Sequence, residues 1–149
     1  MRGLTNPKSI VAGLVVLMAV SSPWHKAVAD EPNHDFAALE KAVLDGKDFR
    51  MVIDLSACQV HGTDKSGPPV KGSSRFDAVM VQGDGTIAFS TTHFTVRSDN
   101  LPVNEFLSYR VHPTGKIDAR TIVMNPMTYS ALRESEFDCE IGKGVTFHW

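Results

Sequence analysis

The apolar positions of the chain keep two different periods. Phe36, Leu39, Ala42 and Val43 recur at helical spacing, with Glu40 and Lys41 turned outward. Asp35 stands where a carboxylate can cap a first turn, and Gly46 where a left-handed residue can end the last. This predicts a short amphipathic helix over Phe36 to Asp45. From Phe49 the period becomes two. Phe49, Met51, Ile53 and Leu55 share one face, while Arg50 and Asp54 lie on the other, the signature of a half-buried strand. The stretch His61 to Ser74, rich in Gly, Pro, Ser and Lys, reads as a mobile loop.

Alternation resumes at Phe76, Ala78 and Met80 and stops at Gly83-Asp84-Gly85, read as a type I′ hairpin turn. In Thr86 to Arg97 the early apolar residues Ile87 and Phe89 have the opposite parity to Phe94 and Val96. A bulge between Ser90 and His93 would reconcile the two. Asp99 to Pro102 and Pro113-Thr114-Gly115 are turns that bracket a strand holding Val103, Leu107, Tyr109 and Val111 on one face. Ile117 to Met124 is the next strand, and Met127 to Ser135 is ambiguous between loop and helical turn. Phe137, Cys139 and Ile141 alternate, Gly142 to Gly144 bends, and Val145, Phe147 and Trp149 alternate again.

The expected fold is therefore mainly β (α+β). It is an antiparallel twisted meander or half-barrel of about seven strands, with one N-terminal helix on its concave face or closing one end. A closed eight-stranded barrel is the alternative.

The first 29 residues read as a separate object. Arg2 and Lys8 precede the apolar run Ile10 to Val20, and Ala27-Val28-Ala29 offers small residues before Asp30. This is the pattern of a secretory signal peptide. Eleven apolar residues reach roughly 16 Å as a helix, about half of a bilayer core, so a retained anchor is the weaker alternative. Cleavage near Ala29 leaves residues 30–149 as one globular domain, periplasmic or secreted.

It removes three of fifteen basic residues and none of the seventeen acids, for a formal charge of −5. Such a domain repels phosphate backbones and anionic lipid, so neither a nucleic-acid partner nor stable membrane insertion is expected. In an exported chain, the even pair Cys58 and Cys139 reads as one disulfide, against two unrelated buried thiols.

Four segments resemble the VirK family of small exported bacterial proteins, named for a member encoded in the virulence region of plant-tumour-inducing bacteria. They are VIDLSAC (Val52 to Cys58), DGTIAFSTTHFTVR (Asp84 to Arg97), VNEFLSYRV (Val103 to Val111) and FDCEIGKGVTF (Phe137 to Phe147). The likeness runs from about Leu39 to Phe147. It implies an exported protein associated with host interaction, and it implies no reaction and no catalytic residue. Both cysteines fall inside matching segments, which supports their pairing.

Chemistry-bearing residues are sparse. His34, His61, His93, His112 and His148 lack the spacing of a zinc site, and no cofactor is implied. Gly83-Asp84-Gly85 is too short for a calcium loop. Ser90, His93 and Asp84 could be imagined as a hydrolase triad, yet no nucleophile elbow accompanies them and strand spacing holds them apart. Glu105 shares the apolar parity of Leu107, so it needs a partner, and Arg97 across the turn is the expected one. That pair is structural or faces a ligand, and His93, Arg97, Glu105, Tyr109 and Arg110 are together the candidate binding residues. The leading functional reading is a non-catalytic binding protein for a host or envelope partner or a small ligand. A small exported hydrolase and a structural or chaperone-like envelope component are the alternatives.

Overall fold

The structure, a computed structural model, describes residues 35–149. The apolar run, the expected cleavage site near Ala29 and His34 lie outside the described residues.

The chain opens with helix α1 (Phe36–Leu44). The Asp35 carboxylate accepts the Ala37 N–H at 3.0 Å, and Gly46 follows with φ +69°. Leu39 and Ala42 are the buried stripe predicted by the spacing. Nine strands follow among the described residues. They are β1 (Arg50–Asp54), β2 (Gln59–Val60), β3 (Lys71–Arg75), β4 (Val79–Val81), β5 (Ile87–Val96), β6 (Pro102–Val111), β7 (Lys116–Met124), β8 (Ala131–Ile141) and β9 (Gly144–His148). Their order in one sheet is β3-β1-β9-β8-β7-β6-β5-β4, with β2 paired to β8. The mainly-β fold with one N-terminal helix is the expected one.

Two arms make up this curled sheet. Strands β4 to β8 form an antiparallel meander, and β9, β1 and β3 form a second arm. They join at a corner, where Glu140 and Ile141 lie beside Gly144 and Val145 in parallel. Met51, Ile53, Val145 and Phe147 of one arm share a core with Ile87, Phe89, Val111 and Ile117 of the other, and Leu39 of α1 enters the same cluster. Phe49 meets Phe89 edge-on at 5.6 Å and Phe147 at 5.8 Å. Such pairs each contribute about 0.5 to 1.5 kcal/mol beyond the area they bury. A disulfide joins Cys58, after the 3-10 turn Leu55–Ala57, to Cys139 of β8, next to the corner.

Several local expectations need correction. The stretch His61 to Ser74 is not loop throughout, because Lys71–Arg75 pairs along the whole of β1. Its sequence, KGSSR, has no apolar face, so no period betrays it. Parity flips after Phe76. Val79 and Val81 turn inward beside Phe89 and Ile87, and Met80 is exposed. The ambiguous stretch after Met127 includes the start of β8 at Ala131.

No bulge breaks β5. Its register with β6 is regular from Ile87↔Val111 to Val96↔Pro102. The apolar residues change face because Phe94 and Val96 lie on the outer face, where they are 64% and 56% exposed. The hairpin at Gly83 to Gly85 is not type I′ either. The Gly85 N–H bonds Gln82 O and the Gln82 N–H bonds Thr86 O, and only Gly85 has a positive φ, +83°. The same bond pattern recurs with Asn100 and with Gly115 as the left-handed residue, so three hairpins share one turn.

Candidate functional site

Alternation gives the meander an inner face on the core and an outer face carrying the even-numbered side chains of β5, β6, β7 and β8. Register aligns the outer side chains in rows across four strands. One row runs Thr92, Phe106, Ile122, Glu134; the next Ser90, Ser108, Arg120, Glu136; the third Ala88, Arg110, Asp118, Asp138. The surface thus grades from apolar to ionic along the strands. Short side chains at Ala88, Ser90 and Ser108 leave a low floor between longer neighbours, among them Met80, Phe106, Arg110 and Arg120. The result is a groove of about 870 Å³.

Its ionic end is a chain of cross-strand pairs. Arg120 reaches both Glu134 and Glu136, the latter at 3.5 Å. His61 Nδ1 sits 2.8 Å from Asp138 Oδ1, and His112 Nε2 sits 2.8 Å from Asp118 Oδ2. The hydrogen bond to Asp138, then that carboxylate's charge, raises the pKa of His61 above the ordinary histidine value. The backbone holds His61 in place, since its N–H donates to Glu136 O at 3.0 Å. Arg110 differs: among the described residues no acid lies within ion-pair distance of its guanidinium.

The structure scatters the residues singled out from sequence. Arg110 lies in the groove. Tyr109 does not present its ring at a mouth: it is 4% exposed and its ring packs against Phe76 and Phe89 in the core. Burial first, then the Glu105 charge, pushes its pKa up to about 12. The expected Arg97–Glu105 pair is replaced by two others. Register sets His93 directly opposite Glu105, with Nε2 to Oε2 at 3.2 Å, and Arg97 turns to Asp99 at 3.0 Å. Both pairs lie away from the groove.

Ser90 and His93 are on opposite faces of β5, and the Asp84 carboxylate accepts the Thr86 N–H at the turn. The three therefore do not converge. Among the described residues no three His, Cys, Asp or Glu side chains converge as metal ligands, and no helix is long and apolar enough to cross a membrane.

Sequence reading missed Asp118, Arg120, Glu134, Glu136 and Asp138. The period-two run of charges along β8 (Glu134, Glu136, Asp138, Glu140) was visible, but pairing partners follow only from register.

The family model described as VirK protein matches residues 32–129. An uncharacterized protein of Sinorhizobium fredii is 34% identical over 113 residues, covering 75% of this chain and 78% of that one. An uncharacterized protein of Rhizobium radiobacter, from the 3′ region of pinF2, is 28% identical over 138 residues, covering 92% and 95%. The crystal structure of a VirK family protein from Legionella pneumophila superposes with a TM-score of 0.70 at 25% identity, covering 81% of this chain and all of the other.

Proposed function

The chain belongs to the VirK family, and on that premise we propose that it is an exported, non-catalytic, virulence-associated protein that binds a host or envelope partner or a small ligand in its outer-face groove. The family's association with virulence and host interaction supports the setting, and relatives from Sinorhizobium and Rhizobium support a plant-associated bacterium. The leader pattern before Asp30 supports export, to the periplasm or beyond. The separation of Ser90, His93 and Asp84 favours binding over hydrolysis.

One observation carries the choice of site: a guanidinium without a carboxylate partner, Arg110, in a groove whose other charges are paired. A planar fork of donors suits a carboxylate or phosphate group on the incoming molecule. The apolar end at Phe106 suits that molecule's carbon skeleton or side chains.

The test is capture from host and envelope extracts by the native protein, by Arg110→Gln and by Ser108→Trp, which fills the groove. Both variants should lose the captured species at least tenfold while melting like the native protein. Equal capture by all three would remove the groove from the account. N-terminal sequencing of protein recovered from periplasm or medium should begin near Asp30, and intact Met1 there would refute the cleavage.

A further inference from the structure

Strand β5 has ten residues, and β4 covers only three of them, Ile87, Ala88 and Phe89. Among the described residues, nothing pairs with the outer edge of the remaining seven, Ser90 to Val96. The hairpin bonds fix which groups point there. The Arg97 N–H bonds Leu101 O across the β5–β6 turn, so odd residues of β5 exchange bonds with β6. The backbone N–H and C=O of Ser90, Thr92, Phe94 and Val96 therefore point to the open edge.

Edge strands of soluble proteins are usually guarded by lysine, proline, bulges or shortness. The opposite edge, β3, is guarded: it is five residues long, it carries Lys71, Gly72 and Arg75, and Pro68 and Pro69 precede it. Ser90 to Val96 has none of these devices, and it presents exposed Phe94 and Val96 beside its edge.

We propose that this edge pairs with the same edge of a second copy of the chain, antiparallel about a two-fold axis at His93. The register is self-complementary. Ser90 meets the partner's Val96, and Thr92 meets the partner's Phe94. Each copy's outward N–H and C=O groups at all four residues then find partners. The two copies of Phe94 fall on one face at a diagonal spacing within aromatic reach.

Charge permits the approach. The acids of β8 lie three strands away, roughly 14 Å at ordinary strand spacing. Of the nearer acids, Glu105 is held by His93 and Asp99 by Arg97, while exposed Asp77 precedes β4. The two His93 residues would oppose each other as a non-hydrogen-bonded pair, each beside its own Glu105. This inference goes beyond the groove and does not depend on it.

The test uses the protein as recovered from its native compartment. Sedimentation over a concentration series should show a monomer–dimer equilibrium. Thr92→Pro removes an N–H that points outward and leaves the β5–β6 ladder intact. It should weaken the dimer at least tenfold with unchanged circular dichroism and melting, and Phe94→Lys should do the same if the proline disturbs folding.

Register is read by crosslinking. Opposed residues of a non-hydrogen-bonded pair have Cα atoms about 4.5 Å apart, within disulfide range. His93→Cys should thus oxidise to a covalent dimer, while Phe94→Cys, diagonal to its copy and about 7 to 8 Å away, should not. A monomer at every concentration, equal crosslinking by both cysteines, or a dimer indifferent to Thr92→Pro and Phe94→Lys would each overturn the proposal.

Discussion

Removing the Cys58–Cys139 bond tests how this small core is held. The bond closes a loop with a sequence separation of 81 residues. Loop-closure entropy assigns a crosslink of that span about 4.5 kcal/mol, exerted on the unfolded chain. Unfolding about 115 described residues releases roughly 0.24 kcal/mol/K, from about 2.1 cal/mol/K per residue. The melting temperature should therefore fall by about 15 to 20 °C. The assay is thermal and denaturant unfolding, followed by circular dichroism, of the oxidised protein, the reduced protein and Cys58→Ala/Cys139→Ala.

Reduction keeps both sulfur atoms, so it isolates the loop effect. The double variant also empties two buried positions, Cys58 and Cys139 being 2% and 6% exposed, and should be somewhat less stable again. If reduced and oxidised proteins unfold within about 1 kcal/mol of each other, the entropic reasoning is refuted. The unfolded chain would then already hold the two arms near each other.

Three further outcomes follow from local geometry. Tyr109 binds its proton more tightly folded than unfolded, so stability should hold below pH 10 and fall towards pH 12, by about 2 to 3 kcal/mol through this residue; Tyr109→Phe should flatten that limb of the melting profile. A Cβ at Gly67 would stand 2.3 Å from the Leu55 carbonyl oxygen, so Gly67→Ala should cost about 1 to 3 kcal/mol in denaturant unfolding. The His61 imidazole, followed by NMR, should titrate above its ordinary value and return towards it in Asp138→Asn; its contribution to stability is present at acid pH and lost as pH rises through that raised value.

What the sequence disclosed and what it hid have a common physical origin. Patterns generated by one element alone were legible: the helical stripe of Leu39 and Ala42, the inward set Met51 and Ile53, and the alternation through Cys139. Features that need a second strand were not. β3 forms on β1 with no apolar face of its own, and the ionic rows of the outer face exist only once Arg120 stands between Ser108 and Glu136. The parity change in β5 had two physical solutions, a bulge or an exposed apolar outer face, and periodicity does not choose between them. The parity of Glu105 requires a partner on its own face, and His93 is that partner. Spacing along the chain points to Arg97 across the turn, whereas the directly opposed residue, His93, is fixed by register.

The two-armed construction has a kinetic consequence. The meander from β4 to β8 is joined by short hairpins, a kind of contact that forms in roughly 1 to 10 μs. The second arm instead brings Arg50 to His148 and Met51 to Phe147, residues about a hundred positions apart. Its search is slower and must work against a larger loop. The meander can therefore assemble first, with the apolar flank of Ile87, Phe89, Tyr109 and Ile117 still wet, and wait for the late-docking strands to cover it. During that interval the chain carries a broad sticky surface. Agents that intercept folding, such as holdases that bind wet apolar surface, would find this flank in that interval, before the second arm covers it.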